Sequence, residues 1–181
     1  MLPIELPHPL YQSCMVKWDE NTFLVIGGYA QYNGGGYRRD TYFVHLNNNT
    51  VTNGPSLQNG RQNHACQNMI VNDQEYVVVT GGGLMSTEVL SKSSYENGWK
   101  LGAPLYYTRG YHGMVASNDQ KFLYAIGDDS SEIDDLEIYK LTCGSSMDDC
   151  GWEKMETKLE HKHYLGVAFS IPDALADKLC N

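Results

Sequence analysis

Long hydrophobic runs are missing from this chain of 181 residues. None approaches the roughly 20 residues a membrane-crossing helix needs, which excludes insertion by that route. Positive charge is scarce: 13 lysines and arginines stand against 22 acids, for a net charge of −9. Such a chain repels phosphate groups, so no nucleic acid and no anionic bilayer is expected as a partner. Met1-Leu2-Pro3-Ile4-Glu5 has neither a basic start nor a long apolar core, so no signal peptide is visible. Long amphipathic helical patterns are absent too. Proline is sparse at 6, whereas glycine reaches 18 and tyrosine 13. That balance suits many short strands joined by turns. With 41% hydrophobic and 19% charged residues, the chain is globular and large enough for a real core.

What is present is a repeated device. Tyr76-Val77-Val78-Val79-Thr80 is a short β-branched run that stops at Gly81-Gly82. Such residues favour an extended, packed backbone, and the glycines release it into a turn other residues resist. The device recurs as Phe23-Leu24-Val25-Ile26 before Gly27-Gly28, and as Phe122-Leu123-Tyr124-Ala125-Ile126 before Gly127-Asp128. The spacing is about 50 residues, and a period of that size decides architecture before any motif does. Around each central run the chain offers three more strands. In the first unit these are Tyr11 to Val16, Thr41 to Leu46 and a short run near Val51. In the second they are Ala65 to Val71, Thr87 to Leu90 and a run opened by Gly98-Trp99-Lys100. In the third they are Met114 to Ala116, Leu136 to Tyr139 and a run opened by Gly151-Trp152. Arg-x-x-His precedes the first strand twice, as Arg61/His64 and Arg109/His112; Ser13 stands near that place in the first unit. His163 to Ile171 reads as one further first strand, and 173–179 as a capped helical turn.

Two glycines ending a second strand, then a tyrosine and a tryptophan at later set places, resemble the Kelch repeat. The likeness runs from about Leu6 to Ile171. Departures are Gly127-Asp128, the missing tryptophan of the first unit, and Tyr95 as the nearest tyrosine of the second. The resemblance implies an all-β chain: a Kelch-type β-propeller fragment of about three four-stranded antiparallel blades plus an extra strand. The divisions are 1–6 as the end of a preceding blade or entry segment, then blades at 7–57, 58–107 and 108–159. Residues 160–181 form a partial next blade and tail. Propellers have roughly 4–8 blades, so the chain reads as an incomplete ring, or one that closes by self-association. Expected core residues are Val25, Ile26, Val78, Val79, Tyr124 and Ile126. Gly27, Gly28, Gly81, Gly82 and Gly127 are structural, as are Trp99 and Trp152, read as wedges between blades.

Candidate chemistry weighs little. Gly81-Gly82-Gly83 leads to another strand, without the helix a phosphate-binding loop needs. His161 and His163 share a strand face but lack a third metal ligand. The acidic stretch 128–135 lacks an EF-hand glycine and spacing. The two Arg/His pairs recur at blade edges and read as hydrogen-bonding pairs rather than catalysts. No catalytic residue, metal ligand or cofactor is therefore expected. Kelch-type propellers include copper radical oxidases and sugar-acid epimerases, so a carbohydrate enzyme is the alternative; the oxidase's tyrosine and histidine copper set cannot be assembled here. Most others bind proteins through loops. The reading is a non-catalytic scaffold binding an unidentified protein through Tyr29–Tyr37, Leu84–Met85 and Asp128–Asp135. Tyr29, Tyr32, Tyr37, Arg38, Leu84, Met85, Asp129 and Glu132 are the candidate contacts.

Five cysteines complete the reading. Cys143 and Cys150 bracket one turn and either cross-link it or stay as two thiols. Cys14 and Cys66 fall in apolar strands and read as small core residues. Asn48-Asn49-Thr50 is the only glycosylation sequon and matters only for a secreted chain. The cross-link and the sequon together point to an extracellular or secretory setting.

Overall fold

The computed structural model describes residues 4–31, 35–128 and 136–161. Tyr32, Asp129, Glu132, the His163–Ile171 strand and the 173–179 turn lie outside them. The chain enters through β1 (Cys14–Lys17) and returns as β2 (Thr22–Ile26). A two-stranded hairpin follows, β3 (Tyr29–Ala30) against β4 (Gly36–Tyr37). Then β5 (Thr41–His45) and β6 (Thr50–Asn53) complete an antiparallel sheet ordered β1-β2-β5-β6. The second sheet is β7 (His64–Val71), β8 (Gln74–Gly81), β9 (Thr87–Ser91) and β10 (Lys100–Leu101), paired in that order. The third is β11 (Gly113–Ala116), β12 (Leu123–Ile126), β13 (Glu137–Thr142) and β14 (Gly151–Lys158). The protein is thus all-β, with four antiparallel sheets among the described residues.

The sheets meet along their first strands, β1 beside β7 and β7 beside β11. A sheet cannot bury both faces alone, and here the middle one is covered on both. Val77 and Val79 join Leu24, Ile26 and Phe43 of the first sheet, while Val78 joins Met114, Leu123 and Ala125 of the third. That explains why β8 is a continuous valine run rather than an alternating strand. In β12 only Leu123 and Ala125 are buried, and Tyr124 and Ile126 are half-buried. The core reading of those two residues is therefore corrected. A β-strand alternates its faces, and β12 presents its odd-numbered residues to the second sheet.

Two tryptophans occupy matching places. Trp99 packs with Val16, Leu24, Phe43, Leu57 and Val77, and its Nε1–H donates to the Pro55 carbonyl at 2.8 Å. Trp152 packs with Met69, Val78, Leu105 and Met114, and its Nε1–H donates to the Ala103 carbonyl at 3.1 Å. Each ring spans two sheets and ties its outer strand to the connector that enters its own sheet.

Cysteine placement differs from expectation at one pair. Cys14 and Cys66 are not free core thiols; they form a disulfide across β1 and β7, with Cα atoms 6.0 Å apart. Both look like core residues because each sits in an apolar strand, and only the stacking of the two first strands brings them together. Cys143 and Cys150 are also cross-linked, around a short 3₁₀ turn, Met147–Asp149.

Trp99→Ala should lower stability by about 3–5 kcal/mol in chemical denaturation; an unchanged midpoint would contradict its role between sheets. Replacing Cys14 and Cys66 together by alanine opens a closure spanning 52 residues. The loop-entropy account gives a loss of about 4 kcal/mol for it, read in the same experiment.

Candidate functional site

One end of the three sheets gathers most of the predicted contact residues. It is the end where β1, β7 and β11 begin and where the turns after β2, β8 and β12 lie. Its backbone is unusual and repeated. Gln12, Asn63 and Tyr111, each shortly before a first strand, have φ of 54°, 52° and 54°. Asn63 N–H donates to the Gln12 carbonyl at 3.1 Å, and Tyr111 N–H donates to the Asn63 carbonyl at 2.9 Å. A chain of backbone hydrogen bonds thus runs from unit to unit along the first strands. The Gln12 side chain also reaches the Tyr111 hydroxyl, Nε2 to O at 3.5 Å.

Below this chain the Arg-x-x-His pairs are wholly interior. Arg61 donates from Nη1 to the Gly81 carbonyl at 2.9 Å and from Nη2 to the Glu88 carboxylate at 2.7 Å, both side chains fully buried. Arg109 donates from Nη1 to the Gly127 carbonyl at 2.6 Å. Each guanidinium therefore holds the glycine turn of its own unit. The histidines face the preceding unit: His64 donates Nε2–H to the Ile26 carbonyl at 3.0 Å, and His112 Nε2 pairs with Thr80 Oγ1 at 2.9 Å. A Cβ at Gly81 would meet His112 Cε1 at 2.5 Å and the Arg109 carbonyl at 2.6 Å. With φ of 73° as well, this position accepts only glycine without a shift.

Burial and the neighbouring guanidiniums push both imidazoles down to about 3, far below the ordinary histidine value. Neutral, enclosed and engaged with backbone or threonine, they have no access to a substrate. Among the described residues no group of three or more His, Cys, Asp or Glu is placed to hold a metal.

Above the interior lies a small cleft of about 180 Å³, lined by Tyr37, Asn63, Gly82, Gly83, Thr108, Tyr111 and Asp128. Asp128 takes the place of a second glycine; buried, its Oδ1 accepts the Gly110 N–H at 2.9 Å. Of the lining, Tyr37 is 61% exposed, and the connectors and turns of this end also carry Tyr11 at 52%, Met85 at 45%, Tyr106 at 60% and Tyr107 at 49%. Of the sequence candidates, Tyr37 and Met85 are open to solvent. Tyr29 is half-buried, its ring 6.3 Å from Tyr37 in the β3–β4 hairpin. Leu84 is half-buried and bridges to Arg109. Arg38 is tied to Asp40 at 2.7 Å. Sequence reasoning missed Tyr11, Tyr106, Tyr107, Gln12, Asn63 and Tyr111. The available signal was position: they precede Ser13, His64 and His112 within the same repeated connector.

No family model and no curated protein matches the chain. The solved structure of YjhT is similar, with a TM-score of 0.66 at 11% sequence identity. The match covers 85% of this chain and 54% of that one, so the chain spans about half of YjhT's length. At this identity the likeness concerns the fold alone.

The buried histidines set a pH dependence. Unfolded, each binds a proton near 6.5; folded, each does so only near 3. Their contribution is complete above pH 6.5 and is lost as pH falls towards 3, by about 1.4 kcal/mol per pH unit for each. Denaturation midpoints should drop between pH 7 and 5. The pair His64→Gln and His112→Gln should flatten that slope; an equal slope would contradict the assignment.

Proposed function

We propose that the three large sheets are Kelch-type blades of a β-propeller and that the chain is a non-catalytic scaffold. It binds a protein partner through the end where the glycine turns lie. The observation carrying this reading is the set of exposed tyrosines and Met85 on a backbone fixed from beneath. Tyrosine buries a large area on few rotatable bonds, so a pre-ordered group of them loses little entropy on binding. Recurring glycine turns, paired arginines and matching tryptophans support the blade reading, together with the likeness in fold to YjhT. A second copy that extends the ring is the alternative partner.

The carbohydrate-enzyme reading has less support. Its natural acid–base candidates, His64 and His112, are enclosed and held neutral. No helix among the described residues is long and apolar enough to cross a membrane. The two disulfides favour an oxidising, extracellular or secretory compartment for the protein.

The test is Tyr37→Ala combined with Tyr106→Ala. Both side chains are mostly exposed, so stability should change by no more than about 0.5 kcal/mol. Affinity for a partner purified with the wild-type protein should fall at least tenfold, about 1.4 kcal/mol. Equal affinity with both tyrosines removed would sink the reading.

A further inference from the structure

The opposite end of the first sheet carries a feature that the binding reading does not use. β5 and β6 are joined by the turn Leu46–Asn49, with Asn49 at φ 57°. Asn48 and Thr50 are both exposed there, and the Thr50 hydroxyl donates to Asn48 Oδ1 at 2.7 Å. That bond fixes the carboxamide within its Asn-x-Thr sequence and leaves Nδ2 turned to no partner among the described residues. We propose that Asn48 carries an N-linked glycan.

Three observations meet at this turn. The acceptor triplet is intact and its middle residue is not proline, so the sequence requirement is met. The two disulfides favour an oxidising compartment, of which the secretory one is where such a transfer takes place; the inference rests on that part of the proposed function. The turn is also accessible. Asn47 and Thr52 border an open cleft of about 600 Å³ walled by Trp18, Phe43 and Tyr95. A large substituent at Asn48 therefore meets space rather than packed chain. The first and second β-hairpin turns of this sheet lie at the end away from Tyr37, Met85 and Tyr106, so the glycan leaves the tyrosine-rich end clear.

The donor class is an oligosaccharide joined through its anomeric carbon to a lipid diphosphate. In the transfer, a bond forms between Asn48 Nδ2 and that carbon while the carbon–oxygen bond to the diphosphate breaks. The lipid diphosphate leaves with the bonding pair, and Nδ2 gives up one proton to a base. No oxidation or reduction is involved.

The experiment is peptide mass analysis, without reductant, of the full chain isolated from its native source, before and after an amidase that removes N-glycans. The expected result is a glycan mass on the Asn48 peptide in most molecules, with Asn48 converted to aspartate by the amidase. Expressed in a eukaryotic secretory host, Thr50→Ser should keep the mass, and Asn48→Gln and Thr50→Ala should lose it. An unmodified Asn48 in native protein with both cross-links formed overturns this proposal alone. An unmodified Asn48 beside free thiols overturns it together with the oxidising-compartment reading.

Discussion

The Arg61 guanidinium is the contact on which the ordered end of the sheets depends. It is fully buried, and burial alone would draw it below its ordinary value, with Glu88 opposing that pull. Charge in such a place survives only when its hydrogen bonds are met. Arg61 meets them at its two terminal nitrogens, with the Gly81 carbonyl, the Ser86 carbonyl and hydroxyl, and Glu88, while Nε finds no partner among the described residues. Glu88 in turn accepts the backbone N–H groups of Gln58 at 2.6 Å and Asn59 at 3.1 Å. One pair thereby joins the connector entering the second sheet to the turn between β8 and β9. Replacing a buried pair by apolar groups is often neutral, whereas breaking one costs about 3–5 kcal/mol. Its value here is positional: it dictates where Gly81–Gly83 and Asn63 stand.

The third sheet solves the same problem with other partners. Arg109 still grips its glycine turn, but it lies over the Tyr139 ring with Cζ 4.9 Å from the centroid, and its Nη2 donates to the Glu137 carbonyl at 3.3 Å. The Glu137 carboxylate instead accepts the Tyr139 hydroxyl at 2.7 Å and pairs with Lys154. Arginine is thus constant between the two units, while the acid near the start of the next strand, Glu88 or Glu137, is bonded differently. This separates the geometric task, holding the turn, from the electrostatic one, balancing the charge.

Much of the fold was legible because it is local. Apolar runs ending in glycine identify β2, β8 and β12, and the tryptophans recur in register. Long-range pairings were not. Nothing near Cys14 or Cys66 distinguishes a cross-linked residue from a core one, since their meeting depends on how sheets stack. Nothing near Glu88 marks it as the partner of Arg61. The segment Tyr29–Tyr37 reads as a glycine- and tyrosine-rich loop, yet Tyr29 pairs with Tyr37 and makes it a hairpin. The candidate site was half visible: Tyr37 and Met85 stood out by composition and by following glycine turns. Tyr11, Tyr106 and Tyr107 precede first strands and join them only through the topology.

A binding surface of this kind works only if its backbone is fixed before the partner arrives. Native-state amide exchange at Asn63, Gly83 and Tyr111 tests this directly, because their N–H groups make the hydrogen bonds that link unit to unit. The account predicts protection comparable to that of Val78 in β8, opening only with the sheets themselves. Exchange at the rate of an open loop, with β8 still protected, would contradict it.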